Sequence, residues 1–272
     1  MPIVPPPLSR PAATLATSPW FASLEPVLTA LQWQHFPDQH TWSRLPPGLI
    51  PRNAQGQPIR FDLCCPEDTC GYEPRIWQTG VVATRPGNWH DAFNALCWLA
   101  WPKTKAALNA LHIAELARQP GAQRSRLRDA ATLFDESGLV LACAEDTVAQ
   151  LLAAHQWQEA FVDERPCWQD RMAPLAIGHA LLEKGLAPFK GIVARTLILP
   201  VSPDWFTLSP ADRLASLDTR VAAAIATDPA AFMRHLQPVP VLGIPGWWPV
   251  QDAAFYADQA HFRPKRPVVR RA

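Results

Sequence analysis

Five polar residues able to do chemistry lie within one tryptophan-rich apolar stretch, RPGNWHDAFNALCWLAWPKTKAALNALH. His90 and Asn94 are four residues apart and would share one face of a helix. Lys105, Asn109 and His112 follow at positions i, i+4 and i+7, which predicts a polar stripe on a second helix. Imidazole, amide and ammonium groups can hold a metal, move a proton or orient a substrate. We therefore take these five residues as candidate catalytic residues.

His90 stands out because of its place at a helix start. Asn88 is predicted to cap this helix, and Asp91 to complete a capping box. The positive end of a helix disfavours a charged imidazole, so His90 should be neutral and able to accept a proton or a metal. For Asn94 and Asn109 two interpretations remain open, a functional site or a buried hydrogen-bond network, since asparagine is a poor mid-helix residue without compensation.

A second motif, GHALLEK, has the spacing of metal ligands. His179 and Glu183 lie at i and i+4, so both could reach one metal, or the carboxylate could orient the imidazole. Together with His90 and Asp135 they form the predicted metal set, with a divalent cation as the expected cofactor and its identity open. The alternatives are an ordinary surface pair for the helix residues and turn-forming carboxylates for Asp135 and Glu136.

Several further residues could contact a substrate. Arg85 and Lys105 would neutralise negative charge on it. Trp89, Trp247 and Trp248 offer ring faces for ligand binding. Paired tryptophans between prolines more often cap a core, so a packing role stays open for them.

The six cysteines fall into two groups. One group is clustered, with spacing that a zinc knuckle allows: Cys64, Cys65 and Cys70. The others stand singly in apolar contexts that favour core thiols: Cys97, Cys143 and Cys167. The prolines near the start interrupt any secretion-signal pattern, so we expect a cytoplasmic protein without disulfides.

Composition bounds the class of protein. Hydrophobic residues make up 48% of the 272 residues and charged residues only 18%, which predicts a folded chain with a large core. The longest apolar run is far shorter than the roughly 20 residues that span a bilayer, so we expect no membrane partner. The net charge of +1 gives nucleic acid no general attraction and leaves only local patches for it.

The chain is predicted to form one domain with two extensions. Residues 1–17 are a proline-rich arm, residues 18–262 a single globular domain, and residues 263–272 a basic tail. Helices and strands alternate without βαβ regularity, which indicates the α+β class: a mainly helical domain with a few short strands and β-hairpins around a central helical hairpin.

Local patterns predict the individual elements. Pro102 should break residues 90–117 into two helices. The alternation in ATLFDESGLVLA predicts a β-hairpin, with Gly138 at positive φ. PRIWQTGVVATRPGN favours an extended segment. Further helices are predicted at about residues 145–160, 170–185 and 209–236, and strands at Ile59 to Leu63 and in GIVARTLILPV.

Several separated motifs together resemble the bacterial family called domain of unknown function 3025. They are GYEPRIWQTGVVATRPGNWHDAFNALCWLAWPKTKAALN, RDAATLFDESG, GHALLEK and VLGIPGWWP, and the resemblance covers roughly residues 40–265. It implies a bacterial origin and groups the same polar residues, but it implies no particular activity, cofactor or partner.

The sequence thus leaves three functional hypotheses. The first is a metal-assisted hydrolase acting on a phosphoester or a similar bond. The second is a non-catalytic ligand-binding or scaffold protein. In the third, the histidines and asparagines form a buried network that specifies the fold. Convergence of these groups on one open cavity would favour the first.

Overall fold

The computed structural model describes residue 15 and residues 18–32, 36–63, 71–119 and 124–265. Within these residues the chain forms helices around two small sheets, which confirms the α+β class. Of the predicted N-terminal arm only Leu15 is described, and it is buried. The cysteine cluster at residues 64–70 and most of the basic tail lie outside the described residues.

The strands form a parallel pair and a mixed four-stranded sheet. They are β1 (Arg60–Asp62), β2 (Val81–Ala83), β3 (Gly138–Cys143), β4 (Met172–Ala176), β5 (Val193–Pro200) and β6 (Gln237–Pro240). The larger sheet has the order β4-β3-β5-β6, with β3 parallel to β5 and the two outer pairs antiparallel. Every residue of β3 is buried, as expected for a central strand with a continuous apolar run. The predicted strands at residues 59–63 and 191–201 are confirmed as β1 and β5.

The helices surround this sheet. They are α1 (Glu25–Leu31), α2 (Gln39–Ser43), α3 (Tyr72–Thr79), α4 (Trp89–Ala100), α5 (Pro102–Arg118), α6 (Arg126–Ser137), α7 (Asp146–Ala154), α8 (Cys167–Asp170), α9 (His179–Gly185), α10 (Pro210–Thr227), α11 (Pro229–Arg234) and α12 (Ala253–Tyr256). Short 3-10 helices cover Pro19–Leu24, Pro47–Leu49, Pro203–Thr207 and Val241–Gly243, and a π-helical turn covers Glu159–Asp163. No helix among the described residues is long and apolar enough to span a bilayer.

The predicted break at Pro102 is confirmed. Trp101 ends α4, and Pro102 occupies the first turn of α5, where its missing N–H costs nothing. The indole of Trp101 is fully buried and donates to the carbonyl of Ala176 at 3.1 Å, which ties the break to β4. Asp218 of α10 accepts from the free backbone N–H groups of Lys103 and Thr104, so the start of α5 is also anchored.

The predicted β-hairpin in ATLFDESGLVLA is wrong. Its first half belongs to α6, and only its second half is a strand, β3. Gly138 has a φ of −71°, so its role is close approach and not a left-handed turn. A Cβ on Gly138 would lie 2.3 Å from the carbonyl oxygen of Phe134, which leaves room for no side chain where the helix turns into the strand.

Two further element predictions need correction. PRIWQT was expected to be extended, but it lies in α3, and Gly80 ends that helix in the left-handed region. The helix predicted at residues 170–185 is strand β4 followed by α9. In both places apolar residues face the core at a spacing that suits either element, and the tertiary neighbours decide.

Cys97 and Cys143 are buried thiols, as predicted, and Cys167 is half-buried. Burial raises the pKa of the Cys97 thiol to about 12, which keeps it protonated and inert at neutral pH.

Candidate functional site

A cavity of about 800 Å³ opens where α3, α4, α5, α6 and α9 meet. Its walls carry most of the polar side chains that the sequence singled out: Arg85, His90, Asn94, His112, Asp135 and His179. Asn109 lies just behind the wall, where it faces a small adjoining void. The dispersed sequence motifs therefore converge on one open space.

Three potential metal ligands point at one another in this cavity: His90, Glu136 and His179. The Nε2 atoms of His90 and His179 are 3.1 Å apart, and Glu136 Oε1 lies 3.8 Å from His179 Nε2. Around a tetrahedral zinc ion with Zn–N bonds of about 2.0–2.1 Å, two ligand nitrogens lie roughly 3.3 Å apart. The imidazole pair thus already has the separation of two ligands on one ion, and a small shift of the Glu136 side chain would complete the set.

Carboxylates lie on the far side of both imidazoles. Glu183 Oε2 is 2.9 Å from His90 Nδ1, and Asp135 Oδ2 is 3.8 Å from His179 Nδ1. Because a carboxylate only accepts, the His90–Glu183 contact requires a proton on Nδ1, and the Nε2 atom of His90 is the one that faces His179. Outer carboxylates orient ligating histidines in this way. Glu183 and Asp135 were predicted as ligands, whereas the structure brings them to the opposite ring nitrogens.

His179 is held as a neutral imidazole. Its side chain is 7% exposed, and burial lowers its pKa to about 3 against the opposing influence of Asp135. It begins α9 directly after Gly178, where a Cβ would lie 2.4 Å from the backbone nitrogen of Gly138 and 2.6 Å from the carbonyl oxygen of Glu136. This close approach keeps the start of α9 against the end of α6, and so brings His179 next to Glu136.

Lys105 connects three elements below the cavity. Its ammonium group donates to Asn94 Oδ1 at 2.9 Å and to Asp135 Oδ1 at 2.5 Å, and its side chain is only 3% exposed. Asn94 in turn donates to the Tyr72 hydroxyl at 2.7 Å. Burial alone would raise the pKa of Asp135, but the Lys105 ammonium group outweighs it, so the pKa lies below the usual value and the carboxylate is ionised. These contacts place Lys105 and Asn94 in a hydrogen-bond network at the cavity wall, which Asn94 also lines.

Glu73 forms a second buried cluster with Asn109 and His112. Asn109 donates to Glu73 Oε2 at 2.7 Å, and His112 Nε2 lies 3.9 Å from Glu73 Oε1. Burial raises the pKa of Glu73 to about 7 despite the Asn109 hydrogen bond. Burial also lowers the pKa of His112 to about 4. Glu73 therefore gains or loses its proton near neutral pH on the cavity wall.

Asp91 does not form the predicted capping box. Asn88 does cap α4, since its side chain accepts from the Asp91 backbone at 3.0 Å. The Asp91 carboxylate instead accepts from the Arg85 backbone N–H and from the guanidinium, at 2.7 Å to Nε and 2.9 Å to Nη2. Burial alone would raise the pKa of Asp91, but these hydrogen bonds outweigh it and hold the pKa below its usual value. The charge of Arg85 at the cavity rim is thus already paired.

The three tryptophans predicted to bind a ligand do not line the cavity. Trp89 packs edge-on against Phe36 and is buried. Trp247 lies 4.6 Å from the Trp20 ring, and its carbonyl accepts from the Trp20 indole. Trp248 stacks on Phe255. All three rings therefore pack against other aromatic side chains, away from this cavity.

Several cavity residues escaped the sequence prediction: Tyr72, Glu73, Arg124, Arg128, Thr132 and Glu136. The signal for the last three was present, since residues 128, 132 and 136 are spaced by four and share one face of a helix. That signal depends on assigning α6 as a helix. Nothing in the local pattern around Glu73 distinguishes it from an ordinary acidic residue in the first turn of a helix.

Comparison with known proteins supports the motif resemblance. No curated protein and no solved structure matches the chain. One family model matches residues 60–266, about three quarters of the chain and all the elements that build the cavity. The chain belongs to the family described as protein of unknown function DUF3025.

Proposed function

We propose that this protein is a metal-dependent hydrolase whose divalent cation is held by His90, Glu136 and His179. The observation that carries the proposal is the 3.1 Å separation of the two imidazole Nε2 atoms, with the Glu136 carboxylate 3.8 Å away. Two histidines and one carboxylate form a common catalytic zinc set, which leaves a coordination position for water.

The surroundings of the three ligands suit catalysis better than a purely structural metal site. The ligands face a cavity large enough for a small substrate. A cation here would lower the pKa of a bound water and supply a hydroxide nucleophile at neutral pH. Glu73, with its pKa raised to about 7 by burial, lies on the same cavity wall and is suited to exchange the protons of hydrolysis.

The competing interpretation is a metal-free structural network. The 3.1 Å contact would then be a hydrogen bond between two neutral imidazoles. This network would need no cavity beside it. The two interpretations predict opposite responses to added metal.

Isothermal titration of the metal-free protein with Zn²⁺ and Mn²⁺ tests the proposal. We expect one strong site in the parent protein. His179→Ala and Glu136→Gln should weaken it by more than the roughly 10- to 100-fold cost of losing an outer hydrogen-bond partner of a ligand. Glu183→Gln should fall within that smaller range. His40→Ala is the matched control, because His40 is exposed and outside the cavity.

His90→Gln separates the two interpretations by thermal melting. The His90 side chain is 35% exposed, so the apo variant should lose only about 1 kcal/mol or less. Its metal-dependent rise in melting temperature should disappear. A variant that melts far below the parent with and without metal, while the parent shows no metal-dependent shift, would refute the metal site and favour the network.

A further inference from the structure

One face of α6 runs along the whole cavity. Arg128, Thr132 and Glu136 are spaced by four residues and all line it. Glu136 lies at the metal-ligand end. Arg128 lies two turns away, which is roughly 12 Å along the helix axis at about 1.5 Å per residue. The cavity therefore has a cationic end opposite its candidate metal centre.

The Arg128 guanidinium lacks a counter-ion within the described residues. No described carboxylate lies within ion-pair distance of it, and its Nε atom is buried without a hydrogen-bond acceptor. Its charge acts on Glu73, but the oxygens of Glu73 face Asn109 and His112. A guanidinium has five N–H donors and stays charged, and Arg128 lines the cavity, so an anion that enters the cavity can pair with it.

The helix end adds to this positive potential. Arg128 lies in the first turn of α6, where the backbone dipole favours anions and disfavours cations. The neighbouring Arg124 is already engaged, since it pairs with Asp129 at 3.4 Å and donates to Thr132. The other basic groups of the site, Arg85 and Lys105, are paired with Asp91 and Asp135. Arg128 is thus the cavity cation best able to take a new anion.

We propose that Arg128 binds a phosphate group of the substrate, at the end of the cavity away from the bond that the metal centre cleaves. The planar guanidinium matches two oxygens of a phosphate at once. This proposal rests on the proposed function for the cleaved bond, while the phosphate contact itself requires no metal. The substrate class is then a phosphate-bearing small molecule, whose phosphate serves as an anchor.

Inorganic phosphate titrated into the metal-free protein at constant ionic strength tests the anchor. Chelator in the buffer removes any metal that would itself bind phosphate. We expect saturable stabilisation in thermal melts of the parent, and a loss of phosphate affinity of at least about tenfold in Arg128→Gln. The phosphate affinity of Arg128→Lys should lie between those of the parent and Arg128→Gln, because lysine keeps the positive charge but lacks the planar guanidinium that binds two oxygens at once. Arg126→Gln is the matched control, since Arg126 is exposed on the same turn and does not line the cavity.

The outcomes separate this proposal from the metal site. Phosphate binding that is equal in the parent and Arg128→Gln, or that falls equally in Arg126→Gln, overturns the anchor. Acetate binding as tight as phosphate binding overturns the assignment of phosphate. Retained phosphate affinity in metal-free His179→Ala supports an anchor independent of the metal. Unchanged Zn²⁺ affinity in Arg128→Gln supports separate sites, so the two proposals can fail independently.

Discussion

Lys105→Met should be among the most damaging single changes near the cavity, although it adds an apolar side chain to a buried position. The Lys105 side chain is 3% exposed, and its ammonium group donates to both Asp135 and Asn94. Without the ammonium group, the carboxylate of Asp135, whose side chain is 19% exposed, and the buried amide oxygen of Asn94 lose their hydrogen-bond donor. Removing one partner of a buried ion pair costs about 3–5 kcal/mol, and the partial water access of Asp135 reduces this to about 2–4 kcal/mol.

Urea unfolding followed by circular dichroism measures this loss. The double variant Lys105→Met/Asp135→Asn should recover part of it, because no charge is left without a partner, with a coupling energy of at least about 1 kcal/mol. Lys103→Met is the matched control. The Lys103 side chain is exposed, and among the described residues its ammonium group donates to the Thr219 hydroxyl alone, so its loss should cost about 0.5 kcal/mol or less. Equal stability of the Lys105 and Lys103 variants, or strict additivity in the cycle, would refute a structural role for the pair.

Three further outcomes follow from the site. Burial raises the Glu73 pKa from 4.5 to about 7, so the contribution of Glu73 to stability is full below pH 4.5 and is lost as the pH rises through 7. Between pH 5 and pH 8, the free energy of unfolding of Glu73→Gln should therefore rise by about 1–3 kcal/mol relative to the parent, as measured by urea titrations. A relative loss of stability at pH 8 contradicts this. Burial lowers the His112 pKa from 6.5 to about 4, so the stability that neutral His112 contributes is present above pH 6.5 and is lost as the pH falls through 4. Over this pH window the melting temperature of His112→Gln should decline less than that of the parent. An equal decline in both proteins would exclude the effect. Gly178→Ala should cost about 1–3 kcal/mol of stability and weaken Zn²⁺ binding, because the added Cβ would meet the carbonyl oxygen of Glu136. Gly48→Ala is the control, since a Cβ there meets nothing within 4 Å. Equal stability and Zn²⁺ affinity of the two variants would argue against the close approach at Gly178.

The helix pair around Pro102 could be predicted from the sequence because its signals are local. Pro102 cannot lie inside a helix, and Asn88 provides the cap, whatever surrounds them. The candidate residues His90 and His179 were also recognisable, since each begins or lies in a helix with a polar partner four residues away. Their meeting was not predictable, because it depends on the packing of α9 against α4, two helices far apart in the chain. Glu136 joins them through the close approach of Gly178 to the end of α6.

The error in α6 had the largest consequence for the site. ATLFDESGLVLA alternates in polarity like a hairpin, and a hairpin would have pointed Asp135 and Glu136 in opposite directions. In the structure the first half continues a helix from Arg126, so residues 128, 132 and 136 share a face. The strand that follows is buried by its sheet neighbours, which a short window cannot reveal. The sequence therefore indicated a polar site, but it named Asp135 and Glu183 where the structure brings Glu136 to the two imidazoles, and it did not single out Arg128.

X-ray absorption spectroscopy of the protein loaded with one equivalent of Zn²⁺ tests the metal site most directly. Coordination by His90, Glu136 and His179 predicts nitrogen and oxygen neighbours at about 2.0–2.2 Å. Outer-shell scattering should correspond to two imidazole rings in the parent protein and to one in His179→Ala. Sulfur neighbours at about 2.3 Å would assign the zinc to the cysteines instead. Sulfur scattering, or a spectrum unchanged by His179→Ala, would contradict the proposed metal centre.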